Sequence, residues 1–111
     1  MFKTQHRLAK NSEVKQALSR GRNFFNPNFT LKVLISKEIS APRFAIIVST
    51  KVSKLAVKRN RLKRLVREWV KTKLTGLPMA DYVIIAKPAA LRLQPLELQR
   101  QLLVLFNQIS K

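Results

Sequence analysis

The chain has 111 residues, with 23 Lys and Arg against 5 Asp and Glu and a single His, a formal net charge of +18. That length supports one domain around one modest core and not two, and a hydrophobic content of 46% is too high for a basic disordered tail. No apolar run approaches the roughly 18 residues needed to cross a bilayer, and no signal-peptide pattern opens the sequence. The lack of Cys excludes disulfides, thiolate zinc sites and cysteine nucleophiles, so a cytoplasmic protein is expected.

Residues 1–10 carry Lys3, His6, Arg7 and Lys10 with little apolar content and read as a basic, partly ordered arm. A first helix fits 11–19. Asn11 or Ser12 stands where a cap is needed, and Val14, Ala17 and Leu18 recur at helical spacing. Gly21 sits just past the end, where glycine tolerates a left-handed cap. A short strand around "NFF" follows, closed by the turn signature Asn26-Pro27-Asn28. Residues 29–36 alternate, with Phe29, Leu31, Val33 and Ile35 toward a core and Thr30, Lys32 and Ser36 away from it, while Leu34 breaks the pattern.

Ser40-Ala41-Pro42 is a turn, and the apolar run 44–50 suits a central strand covered on both faces. Residues 81–87, "DYVIIAK", have the same character, and Pro88 stops them. A last helix fits 95–109, with Pro95 at its start and a stripe of Leu98, Leu102, Leu105, Phe106 and Ile109. The order is α-β-β-β-α-β-α, an α+β sandwich of helices on one small mixed sheet, with no linker that would divide the chain.

The informative segment is 51–74, "KVSKLAVKRNRLKRLVREWVKTKL". At 100° per residue, Leu55, Leu62, Leu65, Val66, Trp69 and Val70 gather on one side, and Asn60, Arg64, Arg67 and Lys71 on the opposite side. Arg59 and Lys63 border one flank of the apolar stripe, and Arg61 lies toward the other. Glu68 is the only acid in the segment. A merely solvated helix face mixes signs, because like charges at i, i+4 destabilise a helix by a few tenths of a kcal/mol per pair. Lys63/Arg67 and Lys54/Lys58 stack here without acidic relief. A surface this basic calls for a polyanion, and a rigid row of Arg and Lys suits phosphate oxygens, which the planar guanidinium grips bidentately. An anionic membrane would favour a terminal amphipathic basic helix or a lipid anchor, and neither is evident. An A-form RNA duplex offers a protein mostly backbone; a sequence-specific DNA reader would need a base-contacting helix, which a mixed Lys/Arg band does not suggest.

The run Arg59-Asn60-Arg61, then Lys63-Arg64, then Arg67-Glu68, within "AVKRNRLKRLVREW", resembles the signature of the bacterial ribonuclease P protein family, and "IIVSTKVSKLAVKRN" resembles the strand that leads into it. The likeness runs from about Leu8 to Phe106. It implies a subunit that binds a large catalytic RNA, the two together removing the 5′ leader of precursor tRNA in a heterodimeric ribonucleoprotein. The RNA would carry the cleavage site and its Mg²⁺, and no cofactor, metal, DNA or membrane is expected of the protein. The likeness also implies a left-handed β-α-β crossover through the basic helix, against the usual right-handed rule.

Carried over by position, Lys51, Lys54, Lys58, Arg59, Asn60, Arg61, Arg64 and Lys71 would contact the catalytic RNA. Val14, Leu18, Lys32, Lys63 and Arg67 would line a cleft for the single-stranded leader. Three positions depart from the common pattern: Thr50-Lys51 where two Lys are frequent, Val14 and Leu18 where the first helix often has aromatics, and Lys32 at a third aromatic position on the second strand. The leader cleft would then rely more on charge and less on stacking. Phe29 is the nearest aromatic, and its alternation places it in the core.

Nothing in the sequence assembles a catalytic site of the protein's own. The acids Glu13, Glu38, Glu68, Asp81 and Glu97 are scattered one per element, whereas two-metal cleavage needs carboxylates converging on ions about 4 Å apart. His6 lies in the arm and reads as an exposed bystander, Trp69 falls within the apolar stripe, and no Gly-rich phosphate loop appears. The alternatives are a small basic ribosomal or other structural RNA-binding protein, and an autonomous metal nuclease.

Overall fold

The computed structural model describes residues 6–8, 10–35 and 41–109; Lys3, Ser36, Glu38 and Ser40 lie outside them. The elements are α1 (Asn11–Arg20), β1 (Arg22–Phe25), β2 (Phe29–Ile35), β3 (Arg43–Ile47), α2 (Ala56–Lys71), β4 (Ala80–Ala86) and α3 (Pro95–Asn107), in the order read from the sequence. The four strands form one mixed sheet, β1-β2-β4-β3. β1/β2 and β2/β4 pair antiparallel, and β3/β4 pair parallel. The basic helix α2 is therefore the crossover between two neighbouring parallel strands.

Each face of the sheet has its own apolar cluster. On one face Phe29, Leu31, Val33, Phe44, Tyr82 and Ile84 meet Leu62, Val66, Trp69 and Val70 of α2 and Leu98, Leu102, Leu105 and Phe106 of α3. Four aromatic rings run through this layer: Phe44 stacks on Tyr82 at 4.9 Å, Tyr82 on Phe106 at 5.8 Å, and Phe106 meets Trp69 edge-on at 5.1 Å. Each contact adds about 0.5–1.5 kcal/mol beyond area burial, and together they lock both helices to β3 and β4. On the opposite face α1 lays Val14, Ala17 and Leu18 over Val83, Leu34, Ala45, Ile47 and Ile85. This second layer explains Leu34, which breaks a one-faced alternation only because the other face is also covered.

Several local expectations need correction. The apolar run that begins at Phe44 is an edge strand and not a central one; its free side is met by residues 6–8, with Arg7 bridged to Phe44 and the Leu8 amide donating to the Phe44 carbonyl at 2.9 Å. His6 is half-buried there, its Nδ1 2.9 Å from the Pro42 carbonyl, and so is no exposed bystander. The N-cap of α1 is Lys10, without a side-chain cap; Asn11 and Ser12 already belong to the helix. Gly21 is extended, with φ −69°. It is needed for space: a Cβ there would stand 2.4 Å from the Ala17 carbonyl oxygen and 3.2 Å from the Val33 backbone.

Ile35, paired with Ala80 at the end of the sheet, is exposed. The basic helix begins at Ala56, so Lys51 and Lys54 precede it and Leu55 is its N-cap, 59% exposed and off the apolar stripe. The last helix ends at Asn107, although Ile109 beyond it is still buried. Phe29 and Trp69 are core residues, as read.

One charged joint ties α1 to the sheet. Arg43 on β3 forks onto Asp81 on β4, Nε to Oδ1 at 2.7 Å and Nη2 to Oδ2 at 2.8 Å, and its Nη1 reaches Glu13 of α1 at 3.0 Å. Asp81 is the only buried charged residue among those described, 4% exposed. Its hydrogen bonds to Arg43 raise the guanidinium pKa further, against the opposing effect of burial. No helix among the described residues is long and apolar enough to cross a membrane.

Candidate nucleic-acid interface

Among the described residues, most of the Lys and Arg side chains have no acidic partner. All four described acids are engaged: Glu13 and Asp81 by Arg43, Glu68 by Lys71 at 3.3 Å, and Glu97 by Arg100 at 3.6 Å. Helix α2 carries seven Lys and Arg against Glu68 alone. Of the seven, only Lys71 enters an ion pair among the described residues. Arg59 donates from Nη1 to the Ser53 carbonyl at 2.9 Å, bracing the turn that leads into the helix. That turn is anchored by buried Val52 and by Ser49 and Ser53 hydroxyls, which accept from the amides of Lys51 and Leu55 at 3.2 Å each. Lys51 and Lys54 are thereby held exposed beside the helix N-terminus.

The buried stripe of Leu62, Val66, Trp69 and Val70 fixes how α2 is rolled on the sheet. Because 3.6 residues complete a turn, this roll sends Asn60 and Arg64 directly outward, and both are exposed. Lys58 and Arg61 fall on the flank toward the short helical turn of residues 88–92 that precedes α3. There they line a groove of about 300 Å³ with Leu62, Leu65, Ala90, Leu91 and Leu93. Lys63 and Arg67 fall on the other flank, toward β3. There they line an open cavity of about 400 Å³ with Arg7, Leu8, Asn11, Val14 and residues 44–47 of β3. The helix thus presents three basic surfaces over about 24 Å of length.

Of the residues assigned to a leader cleft, Val14, Lys63 and Arg67 are brought together. Leu18 is half-buried in the apolar cluster beneath α1, and Lys32 stands on the same sheet face but two strands away from β3. Lys71, assigned to the catalytic RNA, is paired with Glu68. Arg7 and Asn11 complete the cavity rim. Neither had a signal that pointed there: Arg7 reads as part of an arm and Asn11 as a cap, and only the backbone bridge from Arg7 to Phe44 places them. No group of three or more His, Asp or Glu that could hold a metal ion occurs among the described residues.

Known proteins share this architecture and are similar in sequence. The family model described as Ribonuclease P matches residues 2–110. The chain is 34% identical over 110 residues to the ribonuclease P protein component of Chromobacterium violaceum, covering 99% of this chain and 90% of that protein. It is also 34% identical, over 109 residues, to the corresponding component of Bacillus velezensis, covering 98% and 93%. The solved RNase P protein of Staphylococcus aureus superposes with a TM-score of 0.87 at 30% identity, over 96% of this chain and 95% of that one. A ribosomal protein, the alternative that charge alone leaves open, is not favoured.

Proposed function

The chain belongs to the ribonuclease P protein family, the protein part of a ribonucleoprotein enzyme, and from that premise we propose how its surfaces divide the work. The outward face of α2 and the turn before it, through Lys51, Lys54, Lys58, Arg59, Asn60, Arg61, Arg64 and Lys71, bind the catalytic RNA along its phosphates. The cavity between α2, α1 and β3, through Lys63, Arg67 and Val14, with Leu18 and Lys32 beside it, holds the single-stranded 5′ leader of precursor tRNA. The two surfaces are the outward face and one flank of a single rigid helix, so holding the RNA fixes where the leader enters. The Mg²⁺ that cleavage requires belongs to the RNA, and the complex, one protein to one RNA, works in the cytoplasm.

The observation that carries this reading is that six of the seven basic side chains of α2 make no ion pair among the described residues. A folded chain leaves such a row unpaired at a cost in self-repulsion, and phosphate neutralisation removes that cost. With about six phosphates engaged, affinity for the RNA falls roughly a thousandfold between 50 and 200 mM salt.

The test is reconstitution of the purified protein with its cognate catalytic RNA and a leader-bearing precursor tRNA at near-physiological Mg²⁺. Cleavage at the leader junction should require the RNA and improve with the protein. Lys63→Ala with Arg67→Ala should weaken the leader-bearing substrate more than mature tRNA. Equal loss for both substrates would remove the leader from this cavity.

A further inference from the structure

The sheet face under α1 is only partly roofed, and an aromatic ring stands at its open end. Strand register sets Phe25, Thr30, Ile85 and Ile47 side by side across all four strands. The next row along the strands is Asn23, Lys32, Val83 and Ala45. Val83 is sealed beneath α1, whereas Thr30, Ile85 and Ile47 in the outer row are half-buried. Phe25, at the end of that row, is 64% exposed. The row is continuous with the cavity described above, because Ile47 lines both.

A single exposed apolar side chain is ordinary, so the surroundings of Phe25 decide its reading. The Lys87 ammonium lies 5.3 Å from the ring centroid. It is pinned there by donating to the Asn26 carbonyl at 2.6 Å, while the Lys87 amide donates to the Asn28 carbonyl at 2.9 Å. The turn that carries the ring is itself braced: Asn26 Oδ1 accepts from the amides of Asn28 and Phe29, and its Nδ2 donates to the Gln101 carbonyl at 3.2 Å. Lys32 is the diagonal neighbour of Phe25 across the β1/β2 pair, within reach of a long side chain. A solvent-facing ring with one ammonium group against it and a second lysine diagonal to it across the strand pair has the composition of a single-stranded nucleic-acid subsite, where a base stacks on the ring and flanking phosphates meet the cations.

We propose that Phe25, with Lys87 and Lys32, forms a base-stacking subsite for an unpaired nucleotide of the 5′ leader at the β1 edge of the sheet. The proposal rests on the leader reading above and extends it. The strand enters at Lys63 and Arg67 beside β3 and crosses the open row to Phe25, three strand spacings or about 14 Å away. Because any base has a face to stack, the subsite adds affinity with little sequence preference.

The test uses the reconstituted holoenzyme and precursor tRNAs whose leaders are trimmed stepwise, with mature tRNA as the leaderless reference. Phe25→Ala should weaken long-leader substrates by roughly 5- to 150-fold, the loss of one stacked base. It should leave mature tRNA and the shortest leaders unchanged, and Phe25→Trp should restore binding. Lys87→Ala should give a smaller loss with the same length threshold. No change at any leader length, or an equal loss with and without a leader, overturns the proposal. Lys63→Ala with Arg67→Ala is run beside it. If that pair loses leader discrimination while Phe25→Ala does not, the subsite falls alone; if neither does, the leader reading falls with it.

Discussion

Helices α2 and α3 lie on the same face of the same sheet, and each contributes four buried apolar side chains to one cluster. Their outward sides are opposites. α2 shows solvent seven Lys and Arg with one Glu, whereas α3 has one Glu, one Arg and an exposed apolar set of Leu96, Leu103 and Val104. Burial therefore explains why each helix sits where it does but not what α2 carries outside. A fold needs no cationic row, and α3 shows that an equally well-docked helix does without one. The charge on α2 is kept for a partner.

The sharpest way to break that contrast is to remove the outward charge and watch two properties separate. Arg61→Ala with Arg64→Ala should lower affinity for the catalytic RNA about a hundredfold or more at fixed salt, taking about 1.5 kcal/mol or more for each charge-assisted hydrogen bond. Titration in a filter-binding or mobility-shift assay checks this. The melting temperature should hold or rise, since self-repulsion is relieved. A large fall in stability with intact RNA binding would mean that these side chains serve the fold.

Arg43 is the counter-example within the same composition, a guanidinium that serves the fold. Asp81→Ala leaves it facing only Glu13, with its fork onto β4 lost. About 2–3 kcal/mol of stability should go, read by thermal or denaturant unfolding. RNA affinity under conditions where the variant is folded should be unchanged. Separate losses in the two variants, affinity in one and stability in the other, would establish that the chain has two classes of cation.

The distinction between these classes was only half legible in the sequence. Periodicity located the α2 stripe of Leu62, Val66, Trp69 and Val70 and hence its basic outer side, because a helix face is set by residues three and four apart. The Arg43–Asp81 pair joins residues 38 apart, and strand register alone makes them neighbours. The same limit hid the second sheet face: Leu34 looks like an error in alternation until α1 is known to cover it. β3 reads as central because an apolar run reports coverage and not the number of paired neighbours, and residues 6–8 supply part of that coverage at the edge. Leu55 fails because helical geometry begins one residue later, at Ala56. Gly21 reads in the sequence as a conformational requirement, whereas the constraint is the closeness of the Ala17 carbonyl.

Tyr82 offers a smaller test of the buried side of the comparison. Its ring is sandwiched between Phe44 and Phe106, its hydroxyl donates to the Pro78 carbonyl at 2.7 Å, and burial raises its pKa well above the ordinary value near 10. A raised folded pKa means that the native state holds the proton more tightly than the unfolded chain does. The contribution is therefore complete below the unfolded pKa and is lost as pH climbs through about 10 toward the folded value. Tyr82→Phe should cost about 1 kcal/mol at neutral pH through the lost hydrogen bond. Its stability should then decline less steeply above pH 10 than that of the unmodified protein, measured by denaturant unfolding in a pH series. Parallel curves would show that the hydroxyl is not desolvated in the fold.

The smallest expected effect is the most discriminating about the interface. Leu96→Lys with Val104→Lys adds two cations to the outer side of α3, where both native side chains are exposed. Stability should move by no more than about 0.5 kcal/mol, as for surface positions without partners. If RNA binding followed total charge, two added lysines would strengthen it about as much as two lost arginines weaken it. Charges separated by more than the Debye length, about 8–10 Å at physiological salt, are largely screened from each other. Phosphates seated along α2 should therefore respond little to lysines on the outer side of α3, off its buried stripe. The expected change in affinity for the catalytic RNA is less than about threefold, with the salt dependence of binding unaltered, because no further counterions are displaced. A gain comparable to the loss from Arg61 and Arg64 would show instead that the RNA is held by a diffuse positive field, and the division of α2 into outward face and flanks would then carry no functional meaning.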